Sequence, residues 1–260
     1  MPVVRANGID IHYVLEGSGP VVTLSHSLTC HRAMWRDLAG ELAGQYTVLR
    51  YDVRGHGESS APAGNYGFDD LVADVLGLFD ALDIARSHWV GVSMGGMIGQ
   101  HLALTAPDRV ERLVIANSSS RIPPEAGPLW DERIRMARAG GCAALVEGTL
   151  ARWFTEPFRA ARPDVMARVG AQIAATPVAG FTGCAAAIRA LDITARLPEV
   201  RARTRVIAGS ADPGTPPAMS ETIAGAIPGA ELRVIAGASH LACLEQPEAF
   251  HRLVAEFLED

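Results

Sequence analysis

Short apolar segments alternate with amphipathic ones along most of the chain. Residues 9–15 (IDIHYVL) alternate like a strand, and residues 21–24 (VVTL) form a continuous apolar run between turn-forming residues. The same reasoning predicts strands at residues 46–51, 88–92, 113–116, 205–208 and 232–235. Helical spacing of apolar residues predicts helices at 35–42, 68–82 and 95–105, one after Pro216 and Pro217, and a last one from Pro247.

This alternation predicts the fold class. Continuous apolar strands separated by helices are typical of a mostly parallel sheet with helices on both faces. The pattern is interrupted once, at residues 121–191, where the sequence is rich in Ala and Arg, helical throughout and broken by Pro157, Pro163 and Pro177. We therefore predict an α/β core made of residues 1–120 and 192–260, with a helical cap at 121–191. A length of 260 residues suits one such core with an insertion.

The composition is that of a globular protein, with 48% apolar and 20% charged residues. No apolar run reaches about 18 residues, and the N-terminal residues lack a signal-peptide pattern, so we expect a cytoplasmic protein without a membrane segment. Four cysteines, Cys30, Cys142, Cys184 and Cys243, are far apart and form no CxxC pair. This spacing favours free thiols and predicts no metal site.

The charged residues exclude several functions. All 23 basic residues are Arg, so a Schiff-base lysine, a pyridoxal-phosphate anchor and a Walker A lysine are excluded. A net charge of −6 argues against nucleic-acid binding. Residues 121–190 nevertheless carry nine Arg against six acids, while the rest carries fourteen against twenty-three. The local excess would suit an anionic ligand, and solvated surface arginine is the simpler explanation.

A candidate nucleophile stands where a predicted strand leads into a predicted helix. Gly91-Val92-Ser93-Met94-Gly95 has the spacing G-x-S-x-G. A nucleophile on such a turn adopts a strained backbone, and glycine two residues to either side relieves the crowding. A plain tight turn would also fit the five residues, but the strand-to-helix context favours a nucleophilic Ser93.

A serine hydroxyl needs a base that is itself oriented by a carboxylate, in the chain order Ser, acid, His. Asp212 follows the predicted strand at 205–208, and His240 follows the next strand. Loops at the carboxyl ends of such strands carry the sites of open α/β sheets. Taken singly, Asp212 could be a turn residue and His240 a neighbour of a helix cap. Together with Ser93 they predict a catalytic triad.

The tetrahedral intermediate of acyl transfer also needs two backbone N–H donors. One is expected from Met94, the residue after the nucleophile, and the other from the loop after the strand at 21–24. In that loop, Ser25-His26-Ser27-Leu28, we assign the donor to Leu28. An ordinary polar loop is the alternative interpretation.

Over nearly its whole length the chain resembles the α/β-hydrolase superfamily, through GVSMGG, RYDVRGHGES and the placement of Asp212 and His240. It resembles most closely the 3-oxoadipate enol-lactonases, through SHSLTCHRAMW, RWFTEPF, GFTGCAAAIRALD and IAGSADPGTPP. The family's oxyanion loop more often reads Ser-Asn-Ser-Leu-Gly-Thr, whereas this chain has His26, Thr29 and Cys30. We expect these side chains to change the pocket rim and to leave the backbone donor in place.

The resemblance implies that 3-oxoadipate enol-lactone is opened to 3-oxoadipate through an acyl-enzyme intermediate, without a cofactor. It also implies that Trp130 and Arg133 line the pocket for a small anionic lactone. Residues i and i+3 share a helix face, and Arg offers a bidentate partner for the lactone's carboxylate. In the alternative interpretation, Trp130 packs the cap and Arg133 is solvated.

Three other functions fit the same residues: a general carboxylesterase, a perhydrolase or haloperoxidase-like enzyme, and a slow small-molecule receptor on the same fold. Turnover of a simple ester separates an enzyme from a receptor, and activity that depends on peroxide and halide identifies the peroxidase. The sequence leaves the oligomeric state open.

Overall fold

The computed structural model describes residues 2–259, and its central element is an eight-stranded sheet. The strands are β1 (Val3–Ala6), β2 (Ile9–Gly17), β3 (Val21–Ser25), β4 (Thr47–Tyr51), β5 (Ser87–Val92), β6 (Val110–Ala116), β7 (Arg203–Gly209) and β8 (Glu231–Ile235). Their order is β1-β2-β4-β3-β5-β6-β7-β8. Strand β2 is antiparallel to both of its neighbours, and every neighbouring pair from β4 to β8 is parallel. The predicted α/β class is confirmed.

The sequence pattern missed strand β1. This strand pairs with β2 through a turn at Asn7 and Gly8, both of which have positive φ angles of 46° and 78°. An Asn-Gly pair with this backbone is the usual connection of a two-residue hairpin. Strand β1 has four residues, of which only Ala6 is fully buried. A strand this short shows too little alternation to be recognised by periodicity.

Helices cover the sheet. They are α1 (Arg36–Leu42), α2 (Phe68–Ala81), α3 (Met94–Thr105), α4 (Gly127–Gly140), α5 (Val146–Trp153), α6 (Glu156–Ala161), α7 (Pro163–Ala175), α8 (Val178–Arg189), α9 (Pro217–Ala226), α10 (Ala242–Glu245) and α11 (Pro247–Glu259). Helix α1 contacts α11, and α2 contacts α3, which packs on β5 and β6. Every residue of β5 is buried, as expected for a strand covered on both faces.

The segment between β6 and β7 folds as five α-helices, α4 to α8. An isolated bridge between Arg121 and Asp192 joins its two ends. The three prolines stand at helix starts: Pro157 is the second residue of α6, Pro163 the first of α7, and Pro177 directly precedes α8. Proline suits the first turn because an N–H there has no acceptor within the helix. The division at residues 121 and 191 into cap and core remains a prediction.

Within residues 2–259, no single helix has the length and apolar character needed to cross a membrane. Helices α7 and α8 meet that criterion only when taken together, and the pair is bent by 93°. The four cysteines are buried free thiols.

Candidate active site

The carboxyl ends of the parallel strands carry most of the predicted site residues. Ser93 directly follows β5, and Leu28 follows β3 by three residues. Asp212 lies three residues after β7, and His240 lies five residues after β8. Because these strands are parallel, their carboxyl ends share one edge of the sheet, where open α/β folds bind ligands.

Ser93 occupies the strained turn that the sequence predicts. Its φ and ψ angles are 54° and −114°, in a region that non-glycine residues rarely adopt. The backbone is held by the Ser93 N–H donating to the carbonyl of Ala116 (2.9 Å) and by the Ser118 hydroxyl donating to the Ser93 carbonyl (2.8 Å). A Cβ at Gly95 would lie 2.1 Å from the carbonyl oxygen of Ser25, so only glycine allows this approach of helix α3 to strand β3.

The two predicted oxyanion donors are backbone amides next to this turn. Met94 is the first residue of α3, and helix geometry leaves its N–H without an acceptor inside the helix. Leu28 lines the same cavity as Ser93. In the described part of the chain, neither the Leu28 nor the Met94 N–H donates to a protein acceptor. Both amides therefore remain the candidates for the oxyanion donors.

Asp212 and His240 are joined by a short hydrogen bond. His240 Nδ1 lies 2.7 Å from Asp212 Oδ2, and both side chains are buried. Four further donors reach the carboxylate: the Gly214 and Thr215 amides at 2.8 and 3.0 Å, the Thr215 hydroxyl at 2.6 Å, and Asn117 Nδ2 at 3.0 Å. The carboxylate is thus surrounded by donors that fix its position.

These donors keep Asp212 ionised. Burial by itself opposes the charge, but the His240 imidazole and the Thr215 hydrogen bonds outweigh it and lower the pKa of Asp212 to about 2. An ionised carboxylate only accepts hydrogen bonds, so His240 Nδ1 carries the proton. In the neutral imidazole, Nε2 is then left as the acceptor.

A cavity of about 300 Å³ brings five of the seven predicted residues together. Ser93, His240, Leu28, Trp130 and Arg133 all line it. Asp212 and Met94 do not line the cavity: Asp212 lies behind His240, and Met94 directly follows Ser93 as the first residue of α3. Met97, Ile122, Ile188 and Met219 supply much of the remaining apolar wall. The cavity therefore offers a mostly apolar site with a few polar groups, as small-molecule sites do.

Trp130 and Arg133 lie together on helix α4. The Arg133 guanidinium carbon is 4.6 Å from the centre of the Trp130 ring and 5.6 Å from that of Phe181. Stacking on aromatic rings orients the planar guanidinium. Its Nε is buried without a hydrogen-bond partner.

The structure adds residues that the sequence analysis missed. Asn117 directly follows β6, and its side-chain amide donates to Asp212 and to the Ser239 carbonyl. The rule that site residues follow the carboxyl ends of parallel strands, which located Asp212, would also have located Asn117. Trp153 stacks near His240 with ring centres 6.0 Å apart, and Arg152 lines the cavity. Both belong to the segment RWFTEPF, which carries part of the resemblance to the enol-lactonases. Contact with His240 depends on the fold and leaves no local pattern.

Among residues 2–259, no group of three or more His, Cys, Asp and Glu side chains is arranged to hold a metal ion.

Comparison with known proteins defines the class. A sequence model of the α/β-hydrolase fold matches residues 20–247, and the chain therefore belongs to the α/β-hydrolase family.

Within this family, the chain is similar to 3-oxoadipate enol-lactonase 2 of Acinetobacter baylyi, with 32% identity over 96% of this chain and 93% of the relative. The crystal structure of the enol-lactonase from Burkholderia xenovorans LB400 superimposes with a TM-score of 0.96, with 37% identity and full coverage of both chains. A RutD protein of Caulobacter segnis, whose name describes a carbamate hydrolase, is 33% identical over 96% of this chain and 95% of its own. The predicted resemblance to 3-oxoadipate enol-lactonases is confirmed.

Proposed function

We propose that this protein is a serine hydrolase that opens 3-oxoadipate enol-lactone to 3-oxoadipate. The observation that carries the proposal is one cavity that contains a serine on a strained turn, a carboxylate-paired histidine and an unpaired arginine. The similarity to enol-lactonases over the whole chain supports this assignment. The arginine suits the carboxylate that the lactone carries, which a neutral ester lacks.

The reaction begins at Ser93. His240 Nε2 takes the hydroxyl proton while Oγ attacks the lactone carbonyl carbon, and Asp212 stabilises the imidazolium that forms. The carbonyl oxygen becomes an oxyanion that accepts hydrogen bonds from the N–H groups of Leu28 and Met94. The free energy of the transition state falls because these donors are already in place before charge develops.

Ring opening follows. The ring C–O bond breaks, the leaving enol oxygen takes the proton from His240, and the carbonyl of the acyl-enzyme re-forms on Ser93. The enol then rearranges to a ketone, which makes opening favourable. Because the bond broken lies within a ring, the acyl-enzyme keeps the whole substrate. Water, deprotonated by His240, attacks the acyl carbon, and Ser93 leaves with the proton to release 3-oxoadipate.

Substrate orientation depends on the helix α4. Arg133 binds the carboxylate arm of the lactone. The Trp130 side chain stacks on the Arg133 guanidinium and orients it, and it also covers the apolar part of the lactone ring. The mechanism uses only side chains and backbone amides of this chain and water.

The test follows the lactone's ultraviolet absorbance with purified protein. The wild-type protein is expected to consume the lactone, and Ser93→Ala is expected to lower kcat by at least about 10⁴-fold, because the nucleophile is lost. Ser220→Ala is the matched control, since this buried hydroxyl on α9 has no hydrogen-bond partner and lies outside the cavity. A wild-type protein that leaves the lactone intact would contradict the assignment.

Hydrolysis of a carbamate is the second candidate, favoured by the identity to the RutD protein. Attack by Ser93 and the oxyanion donors would serve a carbamate carbonyl equally well. Arg133 does not distinguish the two, because the carbamate anion carries a carboxylate group as the lactone does. Parallel assays with carbamate and enol-lactone decide between them, and a higher kcat/KM for carbamate would favour the second candidate.

A further inference from the structure

Two arginines face the cavity without an acidic partner. Arg133 lies on α4, Arg152 lies in the last turn of α5, and both line the cavity that contains Ser93 and His240. Within residues 2–259, neither guanidinium forms an ion pair with a carboxylate or donates a side-chain hydrogen bond. Arg133 belongs to the proposed function, whereas Arg152 has no assigned role.

Acidic side chains lie close to Arg133 in the sequence, but they form ion pairs with other arginines. On helix α4 itself, Glu132 pairs with Arg135 at 2.6 Å, and Asp131 pairs with Arg189 at 3.0 Å. In a separate groove of about 510 Å³, Arg50 pairs with Glu16 at 2.7 Å, so its charge is already balanced. The two cavity arginines lack such a balance.

Placing both cations around one cavity costs free energy. Burial and, to a smaller extent, the positive charge of Arg152 together lower the pKa of Arg133 to about 9. Burial also lowers the pKa of Arg152. A cation withdrawn from water is stabilised when an anion and its hydrogen bonds replace the lost hydration. Two such cations at one cavity therefore favour an anionic ligand between them.

The backbone around Arg152 is fixed to the loop that carries His240. The Ser239 hydroxyl donates to the Arg152 carbonyl at 3.2 Å, and the Leu241 N–H donates to the Trp153 carbonyl at 3.2 Å. Glu245 accepts the Ser239 N–H at 2.6 Å and the Thr155 N–H at 2.9 Å. These hydrogen bonds fix the position of residue 152 relative to His240, and none of them involves the Arg152 side chain.

We infer that Arg152 is a second carboxylate-binding residue, which shares the carboxylate arm of the lactone with Arg133. The inference rests on the proposed function and extends it, because it makes the cavity selective for lactones and esters that carry a carboxylate. Two guanidinium groups from different helices also connect α4 and α5 through the bound ligand. The substrate then bridges the two helices above Ser93.

The experiment compares two lactones that differ only in this arm. α-Angelica lactone has the same ring, with a methyl group where 3-oxoadipate enol-lactone has a carboxymethyl group. Arg152→Gln is expected to lower kcat/KM for the anionic lactone by about 10- to 100-fold, mainly through KM, because a charge-assisted hydrogen bond is lost. For the neutral lactone, kcat/KM should change by less than about threefold. Arg152→Lys should recover part of the loss.

Controls separate recognition from folding. Arg138→Gln, an exposed arginine at the end of α4 outside the cavity, is expected to leave both lactones unaffected. The double variant Arg133→Gln/Arg152→Gln should lose less than the product of the two single losses, since both side chains bind one carboxylate. Binding of the anionic lactone to Ser93→Ala, with and without Arg152→Gln, gives the same comparison by calorimetry without turnover.

The outcomes are distinct. Equal losses for both lactones, or no loss for either, would overturn the role of Arg152 while the proposed function stands. Failure of the wild-type protein to open the anionic lactone would overturn the proposed function, and the inference with it.

Discussion

His26 is one of the three residues at which the oxyanion loop departs from the enol-lactonase pattern, and both of its ring nitrogens contact backbone groups. Nδ1 lies 2.8 Å from the Ser27 carbonyl oxygen, and Nε2 accepts the Val53 N–H at 2.9 Å. The peptide unit between Ser27 and Leu28 is planar, so fixing its carbonyl also fixes the direction of the Leu28 N–H. His26 therefore orients the proposed oxyanion donor from behind.

We predict that His26→Leu lowers kcat for the lactone by about 10- to 100-fold with little change in KM, because the Leu28 donor loses its support. His26→Asn is expected to stay within a few-fold of wild type, because an amide offers both a donor and an acceptor. Steady-state kinetics on the three proteins checks this. Equal losses in the two variants would show that the hydrogen-bond pair at position 26 is not what orients the donor.

At the scale of elements, helix α8 packs against the loop after β4 through glycine. A Cβ at Gly180 would lie 1.9 Å from the carbonyl oxygen of Gly55, and a Cβ at Gly183 would lie 2.6 Å from the Tyr66 ring. Tyr66 is buried, and its own N–H donates to the Gly183 carbonyl. The segment GFTGC, noted in the sequence for its resemblance, thus lets a helix backbone approach a loop backbone directly.

Gly180→Ala is predicted to lower the free energy of unfolding by about 1–3 kcal/mol and to raise KM, because α8 must move away from the loop and Ile188 of α8 lines the cavity. The control is Gly148→Ala on α5, where an added Cβ meets nothing within 4 Å. That change is expected to be neutral or stabilising by up to about 1 kcal/mol. Urea unfolding of both variants measures the difference, and similar stability of the two would argue against a close packing at Gly180.

At the scale of the whole molecule, buried histidines connect stability to pH. His26 and His56 are fully buried with ring centres 5.2 Å apart, and burial lowers the pKa of each from 6.5 to about 3. In the unfolded chain they take up protons below pH 6.5, whereas the folded protein keeps them neutral until about pH 3. The stability that these buried, neutral histidines contribute is therefore complete above pH 6.5, and it is lost as the pH falls from 6.5 towards 3.

We predict that protonation of each of these two histidines in the unfolded chain lowers the free energy of unfolding by about 2 kcal/mol when the pH falls from 7 to 5. Urea unfolding at the two pH values measures the total, and His26→Asn should reduce the loss by about one histidine's share. An unchanged pH dependence in that variant would mean that His26 is already protonated, or exposed, in the folded protein.

The sequence by itself determined the alternation of strands and helices, the turn at Ser93 and the positions of Asp212 and His240. These features are local: apolar period, glycine spacing and the loop that follows each strand are all properties of neighbouring residues. The prolines that interrupt residues 121–191 likewise mark helix starts, because the effect of proline on its own turn is local.

Only the tertiary structure decided which distant residues meet. Asn117 reaches Asp212 across 95 positions of sequence, and Arg152 and Arg133 come from different helices to one cavity. That neither arginine has an acidic partner is also a property of the fold, since Asp131 and Glu132 stand beside Arg133 in sequence but pair elsewhere. Charge balance and desolvation depend on what surrounds a group in space, which no local pattern specifies.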